Sequence, residues 1–147
     1  MPKATTFCNE VLDLILRAVA IATLAQNNGT SPATLLYFSL HTADPGTGGS
    51  QLTNEMSYTG YARASINRST SATNFGAASG GVAALSGNVD FVISSGGTGG
   101  TVTHVGLGTG ASGAGKMLYT GSASPTIVVA SGTIPRINGT TTTITET

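Results

Sequence analysis

The sequence predicts an all-β protein, an antiparallel β-sandwich preceded by one N-terminal α-helix. Apolar residues recur at the three- and four-residue steps of a helix face only between Phe7 and Ala25. After Ser31-Pro32 the chain changes to short β-rich runs separated by glycine, serine and threonine, a pattern typical of strands joined by turns. A length of 147 residues suits one core. We expect a helical segment, residues 1–30, packed on the domain or on a neighbouring subunit, and a β-sandwich domain, residues 31–147.

The predicted helix has recognisable ends. A hydroxyl of Thr5 or Thr6 can cap its N-terminus. The Asn27-Asn28-Gly29 sequence tolerates the left-handed conformation that commonly ends a helix, so we expect the helix to end there. Asp13 and Arg17 lie four residues apart and can form an ion pair along the helix surface.

This helix is apolar on nearly all sides. One broad face is formed by Phe7, Val11, Leu14, Ile15, Ala18, Ile21, Ala22 and Ala25. Further apolar side chains lie off that face: Leu12, Leu16, Val19 and Leu24. A helix that is apolar all round is usually buried on more than one side. We therefore predict that Leu12, Leu16 and Val19 contact a neighbouring subunit.

Seven strands are predicted after the helix. They are Leu35–Thr42, Tyr61–Arg68, Val89–Ile93, Val102–Thr109, Met117–Thr120, Thr126–Ala130 and Thr140–Glu146. Their spacing favours an antiparallel sandwich. The Asp44-Pro45-Gly46 sequence is a strong turn signal. Residues 69–87 are mostly serine, alanine and glycine, so we expect long hairpin loops, or extensions that are ordered by contacts with other subunits.

Charge is scarce in this chain. Only 8% of the residues are charged, against roughly 25% in soluble domains, and the formal net charge is zero. Without a basic patch the chain lacks the footprint of nucleic-acid binding and of electrostatic membrane binding. The apolar run Ala18–Ala25 is too short to cross a bilayer. A surface with so little charge indicates cover by neighbouring subunits, and the alternative is a secreted monomer with a hydroxyl-rich surface.

No sequence motif indicates catalysis. Gly110–Lys116 has the glycine and lysine spacing of a phosphate-binding loop, but Met117 replaces the hydroxyl residue that holds magnesium, so a glycine-rich hairpin turn is expected. His41, Asp44 and His104 are too few for a metal site, and His41 is expected to pack at a strand end. We therefore predict no enzyme activity, no catalytic residue, no cofactor and no metal.

The single cysteine is a further constraint on chemistry. Cys8 excludes an intrachain disulfide and a thiolate metal cluster. It is expected to act as a small apolar side chain on the helix.

Tyr58, Tyr61 and Arg63 form the one cluster that could recognise a partner. Tyrosine and arginine are enriched where proteins dock, so these three residues are candidate interface residues. The alternative is structural, with Tyr61 in the sandwich core and Arg63 pointing outward as a lone surface cation. Both interpretations remain open at the level of sequence.

Four motifs in order, after the N-terminal helix, give the chain a resemblance to a family. They are Tyr37–Gly46 (YFSLHTADPG), Gly60–Arg63 (GYAR), Val102–Leu107 (VTHVGL) and Met117–Gly121 (MLYTG). In this respect the chain resembles small bacteriophage virion structural proteins described as tail-fibre-like or capsid-decoration-like. The resemblance implies a non-enzymatic component of the virion, with other virion proteins as its partners.

The expected function follows from this resemblance. The first hypothesis is a capsid decoration or cement protein that binds and stabilises the outer shell by contact with the major capsid protein. The alternative is a tail-fibre or tail-tip module that binds a receptor, in which Tyr58 on an exposed loop contacts host glycan. A homo-oligomer is expected in both cases, and decoration proteins suggest a trimer by resemblance alone.

Overall fold

A computed structural model describes residues 2–26, 29, 31–70 and 74–147 of the chain. The helix is α1, Thr5–Arg17. The strands are β1 Leu35–His41, β2 Ala64–Asn67, β3 Val82–Ala84, β4 Val89–Asp90, β5 Gly100–Gly108, β6 Met117–Val129, β7 Arg136–Ile137 and β8 Thr143–Thr145. Antiparallel pairing joins β1 to β5, β5 to β6 and β3 to β8. The predicted class, antiparallel β with one N-terminal helix, is confirmed.

The chain forms two compact units. The first contains residues 1–34, 67–88 and 137–147, and the second contains residues 35–66 and 89–136. In the first unit α1 packs with β3, so the N-terminal segment shares its unit with β segments of its own chain. The predicted division at residue 30 stays a prediction.

The helix ends earlier than predicted. Ala18 adopts the left-handed conformation (φ +59°), and the amide of Val19 bonds back to the carbonyl of Asp13. Beyond it, Ile21 and Ala25 exchange two backbone hydrogen bonds in a tight turn. The prediction of a helix to residue 25 is therefore wrong, because a turn satisfies the backbone of residues 21–25 instead. Asn27 and Asn28 of the predicted stop lie outside the described residues.

The predicted N-terminal cap is also wrong. The residue before α1 is Ala4, which has no side chain that could accept a hydrogen bond, and neither Thr5 nor Thr6 takes its place because both lie within the helix.

At the C-terminus of α1, Arg68 donates hydrogen bonds to two backbone carbonyls of the last helical turn. Its Nε donates to the carbonyl of Ile15 at 2.6 Å and its guanidinium also donates to the carbonyl of Leu14. A cation here bonds to two of the carbonyls that a helix C-terminus leaves without partners. Its positive charge also interacts favourably with the negative end of the helix dipole.

The buried stripe of α1 differs from the predicted face. Cys8, Leu12 and Leu16 are buried at four-residue spacing, whereas the side chains of the predicted face within α1 are only half-buried. Polar groups next to this stripe explain the rotation. Asn9 accepts a hydrogen bond from the amide of Gly81, and Asp13 accepts one from the amide of Ala78. The side of α1 that faces residues 78–81 therefore carries polar side chains beside the buried stripe. Asp13 also pairs with Arg17 at 3.1 Å, as predicted.

Residues 69–87, expected to be a loop, contain β3 and part of the core of the first unit. Phe75 and Leu85 are fully buried and form a bridge, and β3 pairs with β8 from Val82 opposite Thr145 to Ala84 opposite Thr143. Because this part of the sequence consists mostly of small residues, its composition did not indicate that Phe75 and Leu85 are core residues. Bridges from Phe75 to Leu85 and from Ser79 to Val82 make this part an antiparallel hairpin, which agrees with the hairpin alternative of the prediction.

The second unit is built on a sheet with the strand order β2-β1-β5-β6. The predicted strands at 117–120 and 126–130 both fall in β6, and its register against β5 jumps from Ser122 to Ile127 where the sequence predicted a break. Gly108 pairs with Met117, so residues 109–116 connect β5 to β6 as the predicted hairpin turn. His41 is the last residue of β1 and is buried, as expected.

The change Leu12→Ala tests whether this side chain belongs to the core. We expect the free energy of unfolding to fall by about 2–5 kcal/mol, because the substitution leaves a cavity at a fully buried position. Urea unfolding of the isolated chain measures it. Leu24→Ala is the matched control, since Leu24 is exposed, and should change stability by less than about 0.5 kcal/mol. Equal effects of the two variants would contradict the core assignment.

Candidate functional site

A buried ion pair lies at the centre of the second unit. Arg63 donates from Nε to Oε1 of Glu55 at 2.6 Å and from an Nη to Oε2 at 2.7 Å. The side chain of Arg63 is only 2% exposed and that of Glu55 only 11%. Two parallel hydrogen bonds between ionised groups are a strong and directional arrangement. The hydrogen bonds to Glu55 raise the pKa of Arg63 above its ordinary value, so the guanidinium is charged.

Tyr61 completes the hydrogen bonding of this carboxylate. Its hydroxyl donates to Oε1 of Glu55 at 2.9 Å and accepts from the amide of Leu40 at 3.1 Å. Burial raises the pKa of Tyr61, which keeps the hydroxyl protonated as the donor. The ring packs edge-on against Tyr58, with centroids 5.2 Å apart, and stacks with Phe91 at 6.4 Å. Aromatic packing thus fixes the position from which the hydroxyl reaches Glu55.

The rest of the Arg63 guanidinium holds the turn between β5 and β6. It donates to the carbonyls of Gly110 and Gly113 at 2.8 and 2.7 Å. Tyr61 and Arg63 lie just before β2 begins, and both side chains donate to the carboxylate of Glu55. The alternative in which Arg63 is a lone surface cation is wrong.

Gln51 holds the same turn from a second direction. Its side-chain oxygen accepts a hydrogen bond from the amide of Gly110 at 2.8 Å, and its side-chain nitrogen donates to the carbonyl of Tyr37 at 3.1 Å. Its backbone amide donates to the carbonyl of Ala114. Gly115 has φ +50°, and a Cβ there would lie 2.3 Å from Oε1 of Gln51. Glycine at position 115 is therefore required both by the backbone conformation and by the close approach of Gln51.

His41 and Ser39 form a second buried polar group on β1. The Nδ1 of His41 lies 2.8 Å from the carbonyl oxygen of Thr53, which can only accept, so Nδ1 carries the proton. Nε2 then accepts from the hydroxyl of Ser39 at 2.8 Å. Both side chains are fully buried, and a Cβ on Gly106 would lie 2.8 Å from Nε2. The serine–histidine hydrogen bond is therefore part of the core packing.

The other residues considered for chemistry lie apart from this network. Asp44 is exposed and its carboxylate accepts from the amide of Gly46, as expected for the predicted turn. His104 bonds to the hydroxyl of Thr103. Among the residues that the structure describes, no three histidine, cysteine or acidic side chains form a group that could hold a metal ion. Over the same ranges no helix is long and apolar enough to cross a membrane.

Comparison with known proteins places nearly the whole chain in one family. Residues 3–145 match the family model described as "Podophage GP4 fiber I protein gp80". The chain belongs to this family. It is a bacteriophage virion structural protein, as the resemblance implied, and its location is the virion. No curated protein matches the sequence. A virion protein of this family associates with other virion proteins.

The six candidate interface residues occupy different environments. Leu12, Leu16, Tyr58 and Arg63 are buried, Tyr61 is partly buried and Val19 is exposed. The hydroxyl of Tyr58 donates to the carbonyl of Val92 at 2.8 Å, so Tyr58 does not lie on the exposed loop that glycan binding would require. The interface assignment of the six residues stays a prediction, and Val19, at 36% exposure, is the most exposed of them.

Sequence reasoning missed Glu55, Gln51 and Arg68. Glu55 lies eight residues before Arg63, and Gln51 is far from the turn that it holds, so no local spacing links them to their partners. The residue type gives no signal either, because arginine is mostly exposed and is fully buried almost only where it is paired.

Removing one partner of the buried pair should destabilise the chain strongly. We expect Glu55→Ala to lower the free energy of unfolding by about 3–5 kcal/mol, because it leaves the Arg63 charge buried without its counterion. Urea unfolding measures the loss. The exposed pair of Arg136 and Asp90 in the same unit provides the control, since Asp90→Ala should lower the free energy of unfolding far less than Glu55→Ala does. A loss below 1 kcal/mol for Glu55→Ala would refute the central role of this pair.

His41 should make stability depend on pH. Burial lowers its pKa below the ordinary value of 6.5, so the unfolded chain binds a proton before the folded chain does. The free energy of unfolding should therefore fall as the pH drops below about 6.5, with no contribution from His41 above pH 7. Urea titrations from pH 7.5 to 5 measure this slope. His41→Gln should reduce it, and an unchanged slope in that variant would remove His41 as its source.

Proposed function

We propose that the chain is a non-enzymatic structural module of a podophage tail fibre, which maintains a rigid scaffold and associates with further copies and with other tail proteins. The observation that carries this proposal is the family match over residues 3–145, because it includes both units and the whole buried network. The geometry supports it. Three polar side chains could in principle take part in catalysis: Glu55, Arg63 and His41. All three instead form hydrogen bonds that hold backbone segments in place.

The distribution of aromatic side chains favours a scaffold over a receptor-binding tip. The chain has four tyrosines, four phenylalanines and no tryptophan, and all eight lie within the described ranges. Four of them are buried and four are half-buried. Binding to a sugar ring through an aromatic platform would need an aromatic face that is largely exposed. We therefore assign receptor contact to another part of the fibre or to another protein.

The capsid decoration role expected from the sequence is the second candidate. The low charge of the chain is compatible with either position, because both require a surface that neighbouring subunits cover. The family description names a fibre, and this favours the tail.

Deletion of the gene from a phage that encodes this chain tests the position. We expect particles that retain full capsids and lack fibre density at the tail when they are imaged by cryo-electron microscopy. The wild-type chain supplied from a plasmid should restore the fibres, which controls for effects on neighbouring genes. Loss of density over the whole capsid surface, with fibres intact, would overturn the fibre assignment and support the decoration role.

A further inference from the structure

The segment that follows α1 forms a turn although its sequence favours a helix. Residues 18–25 have the sequence AVAIATLA, with four alanines and neither glycine nor proline. Alanine is the best helix former, and leucine is close to it. The structure nevertheless ends α1 at Arg17 and closes a turn between Ile21 and Ala25. The local preference of this segment and its tertiary structure therefore disagree.

Two residues of the turn have backbone conformations that do not suit them. Ala18 has φ +59° and Thr23 has φ +62°, both in the left-handed region. This region is unfavourable for a residue with a Cβ atom, and most of all for a β-branched residue such as threonine. Strain of this kind persists only where surrounding contacts hold it. The turn is thus maintained by contacts with other parts of the chain.

Arg68 occupies the two carbonyls that a longer helix would need first. In a continued helix the amides of residues 18 and 19 would bond to the carbonyls of Leu14 and Ile15. The guanidinium of Arg68 donates to both of these carbonyls. The amides of residues 18 and 19 bond instead to the carbonyl of Asp13. Arg68 therefore competes directly with the next step of helix growth.

Further hydrogen bonds keep Arg68 in this position. Its Nη1 donates to the carbonyl of Ala33 at 3.1 Å, and its backbone amide donates to the carbonyl of Thr34 at 2.8 Å. These partners belong to the same unit as α1 but lie beyond the turn in the chain. The position at which α1 ends consequently depends on residues outside the helix.

Burial of one side chain also favours the turn. Ile21 is only 5% exposed. In a continued helix it would lie about two and a half turns after Leu12, on the side opposite the buried stripe. Val19 and Leu24 are 36% and 69% exposed and have little burial to lose. The turn is therefore stabilised by Ile21 and Arg68 against the strain of two left-handed residues.

We propose that α1 has a short and a long form, and that Arg68 is the latch that selects the short form. When the guanidinium leaves the carbonyls of Leu14 and Ile15, the helix continues to Ala25 and becomes about 12 Å longer. An acceptor that takes the guanidinium away from α1 favours the long form through the same equilibrium. This device goes beyond the proposed function and does not rest on it.

Arg68→Met tests the latch, because methionine keeps an apolar stem and removes every donor of the guanidinium. The ¹³Cα chemical shifts of residues 18–25, measured by NMR on the full chain, should move to helical values. Arg136→Met is the matched control. It removes an exposed guanidinium in the second unit, so the shifts of residues 18–25 should keep their wild-type values.

Ala18→Gly gives an independent test, because its effect has opposite signs in the two forms. Glycine adopts the left-handed conformation without strain but weakens a helix interior. In the short form this variant should raise the equilibrium constant for folding by about threefold, as measured by urea unfolding. The double variant of Arg68→Met and Ala18→Gly should return the shifts of residues 19–25 toward wild-type values. A fold that was merely damaged would not be rescued in this way.

Three results would overturn the proposal. They are shifts of residues 18–25 that stay at wild-type values in a folded Arg68→Met variant, shifts that move to random-coil values instead of helical ones, and a loss of stability in Ala18→Gly. Where Arg68→Met does not fold, the sign of the Ala18→Gly effect decides, since a gain supports the latch and a loss excludes it. All of these measurements use the isolated chain, so a failed latch and a failed fibre assignment can be told apart.

Discussion

The buried pair of Glu55 and Arg63 is the interaction on which the second unit depends. It joins the segment after β1 to the segment before β2, and through the remaining donors of Arg63 it holds the turn between β5 and β6. A buried charge is costly unless its partner and its other hydrogen bonds are all present. The guanidinium therefore links three separate segments of the second unit.

The same principle explains how a chain rich in glycine can be ordered. Glycine loses more conformational entropy on folding than any other residue, and turns without large side chains have little apolar area to bury. Arg63 and Gln51 compensate by bonding directly to the backbone of residues 110–114. In the first unit Arg68 does the same for the C-terminal carbonyls of α1. Three long polar side chains thus organise backbone that has few packing contacts of its own.

This economy of charge suits a protein that functions in an assembly. The charged side chains Glu55, Arg63 and Arg68 act inside the chain, where they fix loops and helix ends. The surface is left with few charges, and the exposed Arg136 is paired with Asp90. Membership of a phage fibre family is consistent with such a surface, because association with other virion proteins covers part of it. Rigidity inside and neutrality outside are then two consequences of the same composition.

The sequence by itself determined the class of the fold, the position of β1 and β5, the hairpin turn at residues 110–116 and the family, because each depends on local periodicity, turn residues or ordered motifs. Only the tertiary structure decided which face of α1 is buried, that Phe75 and Leu85 are core residues, and that Arg63 points inward. These features depend on partners distant in the chain, such as Glu55 for Arg63 and the turn at residues 78–81 for α1. Hydrophobic spacing cannot reveal them, because a polar side chain is buried only where the fold brings it a hydrogen-bonding partner.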